Sequence, residues 1–474
     1  MLTTEWKTDM YRRRIIQLGS AIGAGLMLPA AASPSPSPSD SSSLLIKNAQ
    51  LITMDPTLGE LDQADVLIEN GIIRKIGKAL SATGAKVLDG QGMLILPGLI
   101  DTHWHLWNSL LRSSAPVPGG PAFFETQQTL SKRFTPALTE LSVRLGLADA
   151  INAGFTTVNS WSHNIRSPEH AQAELRALAG SRINARLWYG YAQDLPPASP
   201  MDFADIQRVH TQIQNMPQGR IDLGLAVRGP ERTDVPIWVA EFEFAAKQSL
   251  PISTHVAVTK QMQKQKAIQQ LASRGLLSSR VQLVHATHAD PEDLTSIRES
   301  GASVCVTPLT EMRVGYGLPP VAALHRAKVP VSLGVDTLVL SGNANPFMLM
   351  QTCLNLALAT TGDEQAMTAR DVLHWATQGA ADIMGLGEKI GSITVGKQAD
   401  LIMVNTRNIG MFPVIDPVNS IVQSASPAVV TSVIANGKLV KHNGVLVGVD
   451  PQALAGEAWE GVRQLLQRQP SRSV

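Results

Sequence analysis

The chain has 474 residues, 44% of them hydrophobic and 17% charged, with a formal net charge of +1. That length suits about two or three domains built on large cores, and the near-neutral balance, with no long basic run beyond the N-terminus, excludes an electrostatic footprint for nucleic acid. The two cysteines, Cys305 and Cys353, make no disulfide framework and read as buried, inert thiols.

In chain order, the first expected element is a targeting segment. Tyr11-Arg12-Arg13-Arg14-Ile15-Ile16-Gln17 looks like a twin-arginine export signal. A mildly apolar stretch, Leu18 to Leu28, and the small residues Ala30-Ala31-Ala32 follow it. Residues 1–32 are therefore expected to be a signal peptide, with the bacterial periplasm or cell envelope as destination. The apolar stretch is short and rich in Gly and Ala, so no membrane span is expected in the mature protein. Ser33 to Ser43 alternates Ser with Pro and reads as a linker.

Residues 44–52 then read as a strand, 64–73 as a hairpin turning at Asn70-Gly71, and 86–90 as a further short strand. A matching pattern returns near the C-terminus, with a strand at 396–404 and a second Asn-Gly hairpin turning at Asn436-Gly437. Residues 44–93 and 393–450 are expected to pair into one small β-sandwich domain. The central segment 94–392 is inserted between them, and 451–474 forms a C-terminal helix and tail.

The central segment alternates apolar strand runs with helical patterns. Strands are expected at 94–103, 156–162, 184–191, 222–228, 251–257, 281–287, 303–308 and 330–336. Helices are expected at 168–179, 234–248, 260–275 and 369–384. Ser167-Pro168 and Asp290-Pro291 have the form of helix starts, a capping residue followed by proline. About eight βα units predict an α/β fold, a TIM (β/α)8 barrel; an open doubly wound sheet is the alternative.

In such a barrel the chemistry sits at the C-terminal ends of the strands. The first run leads into Leu96-Pro97-Gly98-Leu99-Ile100-Asp101-Thr102-His103-Trp104-His105. Strand alternation puts His103 and His105 on one face, a ready pair of metal ligands. The fifth strand ends at His255, the sixth at His285 with His288 close behind, and the eighth at Asp336. Four imidazoles and a carboxylate on one rim predict a metal site.

The Pro-Gly-x-x-Asp-x-His-x-His string, with His255, His285 and Asp336 in that order, resembles the amidohydrolase superfamily from residue 44 onward. The resemblance implies that His103, His105 and His255 bind the metal. Asp336 is then a ligand or near-ligand that takes a proton from the attacking water, and His285 polarises the substrate or orients the water. His288 falls to a structural or outer role. Two-metal members carry a bridging lysine or glutamate at the fourth strand, where this chain has Arg228. One divalent metal is expected, zinc first, with iron, cobalt and nickel as alternatives.

The sequence departs from the deaminating branch in one respect above all. That branch reads His-x-x-Glu at the fifth strand, and here the string is His255-Val256-Ala257-Val258. Glu311, on the loop after the seventh strand, is the candidate catalytic replacement, with Arg313 as its ion-pair partner. Arg228, His163 and Trp107, beside His285, are the candidate substrate-binding residues. Trp104, Trp161 and Trp188 could line an apolar pocket or simply pack. The expected activity is metal-dependent hydrolysis of a non-peptide C–N bond in a small molecule, of amide, urea or carbamate type. Deamination or dechlorination of an aromatic heterocycle is the alternative, and an exported binding protein without turnover is a second. Self-association into a homo-oligomer is left open.

Overall fold

A computed structural model describes residues 43–115, 122–217 and 219–467. The export segment lies outside the described residues, and so does the linker apart from Ser43, which already begins the first strand.

The strands are β1 (Ser43–Ile52), β2 (Glu60–Glu69), β3 (Ile72–Gly77), β4 (Lys86–Asp89), β5 (Met93–Pro97), β6 (Leu99–Trp104), β7 (Phe155–Ser162), β8 (Asn184–Tyr189), β9 (Ile221–Val227), β10 (Ile252–Val256), β11 (Val281–His285), β12 (Ser303–Val306), β13 (Val331–Leu333), β14 (Leu401–Asn405), β15 (Val430–Ala435), β16 (Lys438–His442) and β17 (Val445–Leu446). They form two sheets. One holds β6 to β13 in sequential order, all parallel, with helices between successive strands. The other takes β1 to β5 from the N-terminal side and β14 to β17 from the C-terminal side. The chain is thus a (β/α)8 barrel inserted into a second domain assembled from both ends.

That second sheet bends at β1. Its first half, 44–47, pairs with β4, and its second half, at Gln50 and Leu51, pairs with β5. The register shifts between, where Asn48 has φ 58°. Ile46, Leu51, Val66, Ile68, Ile95, Leu401 and Met403 form its buried core. Both Asn-Gly turns take left-handed conformations at both residues, φ 52° and 81° at Asn70-Gly71 and 52° and 71° at Asn436-Gly437, as a type I′ hairpin turn requires. The two turns also pack on each other. A Cβ on Gly437 would lie 2.4 Å from the Cα of Gly71, so close an approach needs glycine.

The expected strand 94–103 is two strands. β5 pairs with β14 and β1 in the small sheet, and the barrel begins only at β6. Gly98 makes the crossing, and there a Cβ would lie 2.0 Å from Thr156 Oγ1. The domain boundary therefore falls at Gly98 rather than Met93. Helix 260–275 is also two pieces, Lys260–Gln263 and Ala267–Ser273, interrupted at Lys266 with φ 54°. Helix 369–384 divides into Ala369–Trp375 and Gln378–Ile383. Of the two expected helix starts, Asp290 forms a full capping box with Asp293. Ser167 instead turns its hydroxyl to His170 Nδ1, 3.0 Å away.

The barrel closes between β6 and the segment after β13. The His105 amide donates to the Asp336 carbonyl at 2.5 Å, and the Asp336 amide donates to the His103 carbonyl at 2.9 Å. Asp101 cross-links the same seam. Its carboxylate accepts the His103 amide at 3.0 Å and the Val335 amide at 2.6 Å. No helix among the described residues is long and apolar enough to cross a membrane.

Candidate metal centre

The barrel seam brings distant parts of the chain to one point. His103 and His105 leave β6 on the same face, His255 lies one residue before the end of the fully buried β10, and Asp336 follows β13. One ring nitrogen from each of His103, His105 and His255 lies within 4.8 Å of the others. The Nε2 atoms of His103 and His255 are 3.2 Å apart. Asp336 Oδ1 lies 3.3 Å from His103 Nε2 and 3.1 Å from His105 Nε2. All four side chains are buried.

The chemistry of this donor set fits a divalent cation. His105 Nδ1 donates to the Trp161 carbonyl at 2.8 Å, which leaves the Nε2 lone pair facing the cluster. Burial, reinforced by the neighbouring imidazoles, lowers the pKa of His103 to about 3 and that of His255 well below the usual value. Both are held neutral, the ligating form. Inward-facing lone pairs repel unless a cation shares them, and three imidazoles with one carboxylate suit a metal that keeps an open position.

Backbone strain gathers on the same rim. Ala257, His285, Ala286 and Asp336 have φ of 48°, 71°, 46° and 63°. Left-handed conformations at non-glycine residues cost of order 1–3 kcal/mol each. Here they fall at or just beyond the C-terminal ends of β10, β11 and β13.

His285 stands beside the cluster, its ring centroid 5.1 Å from that of His255 and 6.1 Å from that of His103. Its Nδ1 lies 3.2 Å from Glu311 Oε1 and 3.1 Å from Thr307 Oγ1. Glu311 also accepts the Thr307 amide at 3.0 Å and is wholly buried. Glu311 is thus a positioning residue that orients His285. Its Oε2 is buried with no partner among the described residues. Its expected ion pair is also absent from the geometry, since Arg313 donates to the Leu340 carbonyl at 2.5 Å.

Three expected substrate contacts change role. Arg228 donates to the carbonyls of Leu195, Pro196 and Ser199, lies 3.6 Å from Glu241, and stacks on Tyr191. Its guanidinium is spent on holding the loop after β8. Trp107 is fully buried and donates its indole N–H to His163 Nδ1 at 3.1 Å. His163 has its other nitrogen 2.9 Å from the Gln193 amide group, so both nitrogens are engaged, while its ring packs 4.1 Å from that of His105. His288 binds the Tyr316 carbonyl at 2.7 Å and braces a loop. Of the remaining tryptophans, Trp161 touches the centre, with its ring 4.3 Å from that of His255. Trp104 packs on Phe155, and Trp188 lies under the Arg186 guanidinium at the other end of the barrel.

Sequence reasoning missed Tyr316, whose ring lies 5.4 Å from His285, and Glu231, whose Oε1 accepts the Ala257 amide at 2.7 Å. Glu231 follows Arg228-Gly229-Pro230 directly. A charged residue just past a barrel strand end is the signal that could have found it.

Comparison with known proteins agrees with this architecture. The family model described as Amidohydrolase family matches residues 94–440. A 5′-deoxyadenosine deaminase of Methanosarcina mazei is 26% identical over 436 residues, 90% of this chain and 99% of the relative. An 8-oxoguanine deaminase of Pseudomonas aeruginosa is 27% identical, covering 84% and 94% respectively. Among solved structures, a zinc-bound adenosine deaminase of Xanthomonas campestris shares the fold with TM-score 0.80 at 24% identity, covering 89% of this chain and 98% of that one. A zinc-complexed atrazine chlorohydrolase of Arthrobacter aurescens does so with TM-score 0.77 at 22% identity, covering 88% and 100%.

Proposed function

Since the chain belongs to the amidohydrolase family, and is by that membership a metal-dependent hydrolase of carbon–nitrogen bonds other than peptide bonds, we propose that it works with a single zinc ion on a small planar substrate. The observation that carries this reading is the convergence of His103, His105 and His255, with Asp336 beside them, on one buried point. Zinc-bound structures of the same fold support the choice of metal, and Arg228, turned away into the β8 loop, supplies no second bridging ligand.

His103, His105, His255 and Asp336 would hold a divalent metal, which would supply acidification of a water and polarisation of the group under attack. The rest of the chemistry belongs to the chain. Asp336, 3.1 Å from His105 Nε2, takes a proton from the attacking water and returns it to the departing nitrogen. His285, oriented by Glu311 and Thr307, donates toward the oxygen that gains charge at the reacting carbon. Trp161 and the closed barrel seam exclude bulk water from one side.

Two substrate groups compete. An amide, urea or carbamate needs no ring protonation and suits a site with Val258 in place of an acid. A nitrogen heterocycle is favoured by the aromatic surfaces of Trp161, Tyr191 and Tyr316 and by relatives named as purine deaminases. Zinc-loaded protein assayed against primary amides, ureas, carbamates, aminated purines and triazines separates them. Turnover of open-chain members alone supports the first, and release of ammonia from rings alone supports the second. A protein holding about one zinc per chain that turns over no member would sink the small-molecule hydrolase reading.

A further inference from the structure

Val258 stands third after His255, is buried and apolar, and can move no proton. The space beside it is not without an acid. The chain leaves β9 through Gly229 at φ 69° and Pro230, and this turn sends Glu231 sideways toward the end of β10. There Glu231 Oε1 accepts the amide of Ala257, the residue between Val256 and Val258, at 2.7 Å. Ala257 is itself in the left-handed conformation, and its carbonyl is held by the His288 amide at 2.9 Å. The strand end is thus fixed with its N–H aimed at the carboxylate. The second oxygen, Oε2, is buried with no partner among the described residues, although Glu231 as a residue is partly exposed on its loop.

A buried carboxylate oxygen without a partner costs free energy. Glu231 leaves Oε2 in that state, as Glu311 does, but its other oxygen meets a single backbone amide, whereas that of Glu311 is committed to the Thr307 amide and the His285 imidazole. Burial raises its pKa, while the amide of Ala257 and the charge of Arg232 work against that rise; Asp293 and His285 also act on it. A carboxyl raised above its usual range holds its proton more readily than a free one, as a general acid must.

We propose that Glu231 is the proton-handling acid of this site, reaching from the loop after β9 into the place that Val258 leaves without one. The proposal rests on the C–N hydrolase reading. For an aminated ring, the water oxygen bonds to the carbon while one water proton passes through Glu231 to the adjacent ring nitrogen. The second water proton passes through Asp336 to the amino group, the C–N bond breaks, ammonia leaves, and the carbon keeps the oxygen as a carbonyl. Glu231 and Asp336 end in the states in which they began. With such an acid in place, heterocycle deamination needs no glutamate at position 258.

The test compares wild type with Glu231→Gln, Val258→Glu and the double variant. Glutamine can still accept the Ala257 amide, so the clamp survives and only the acid is lost. Two readouts are taken at equal metal content. The first is the visible spectrum of the cobalt-loaded protein against pH, which needs no substrate; Glu231→Gln is expected to move its midpoint by about one pH unit, and an unmoved midpoint overturns the proposal. The second is turnover of whichever ring substrate the panel identifies. Glu231→Gln is expected to lose about a hundredfold in kcat with KM little changed, and the double variant to regain about tenfold. Near-normal kcat in Glu231→Gln overturns the proposal even if Val258→Glu misfolds. Absence of turnover in wild type falls on the hydrolase reading instead, and the cobalt comparison still decides whether Glu231 addresses the metal.

Discussion

The loops after β9 and β12 each carry a glutamate on the rim of the barrel that holds the metal centre, and the two glutamates are held differently. Glu311 lies in the first turn of helix Pro308–Arg313, wholly buried. One of its oxygens serves the Thr307 amide and His285 Nδ1, so it acts through the imidazole. Glu231 sits on the turn after β9 and gives one oxygen to a single backbone amide, that of Ala257. Both leave Oε2 without a partner among the described residues, so the group met by the other oxygen, an imidazole for Glu311 and a backbone amide for Glu231, is what separates a positioning role from the proposed proton-handling one. Side-chain type and distance from the rim do not distinguish the two.

The comparison presupposes a shared metal centre, and removing it has the largest effect. His255→Ala takes away one of three converging imidazoles. Metal content by elemental analysis is expected to fall to a small fraction, with turnover down about a thousandfold or more; full occupancy in this variant would break the common frame for both loops. The next effect separates the loops. Glu311→Gln keeps an acceptor for His285 but removes the carboxylate that holds its Nδ1. A loss of about 10- to 100-fold with unchanged metal is expected, smaller than that of Glu231→Gln, and the opposite ranking would exchange their roles.

Glu174 provides a third glutamate, with no metal-binding side chain among its hydrogen-bond partners. It is buried behind β7, where the Ser160 and Ser162 hydroxyls donate to it, and burial raises its pKa from 4.5 to about 7. The folded state therefore keeps this proton after the unfolded chain has lost it. Its stabilising contribution is complete below about pH 4.5 and is lost as pH rises through about 7, on the order of 3 kcal/mol. Glu174→Gln is expected to flatten that part of the stability profile in denaturant titrations at pH 5 and pH 8, with turnover little affected; an unchanged slope would mean that Glu174 is ionised throughout. The smallest effect belongs to Arg313→Met. Arg313 serves the Leu340 carbonyl rather than Glu311, so a stability loss of about 1 kcal/mol and turnover within about twofold are expected. A large fall in turnover would restore the ion pair.

Much of this protein follows from local pattern. Apolar runs of strand length, separated by helical periods, determine a barrel of parallel strands, and His103, His105, His255, His285 and Asp336 mark where those runs stop. The two Asn-Gly turns declare their hairpins through the left-handed conformations only such residues adopt cheaply. These features are legible because each depends on residues within one element.

What depends on several elements was decided only by the folded chain. Gly98 divides one apolar run between two domains because Thr156, 58 positions away, leaves no room for a side chain. Arg228 and Trp107 turn into the protein because carbonyls of the β8 loop and His163 meet them there. Glu231 reaches the end of β10 because neighbouring parallel strands set their C-terminal loops side by side, 26 residues apart in sequence and 2.7 Å apart in space. Periodicity reports which face of its own strand a side chain takes; which loop it meets across the rim is set by the closure of the barrel.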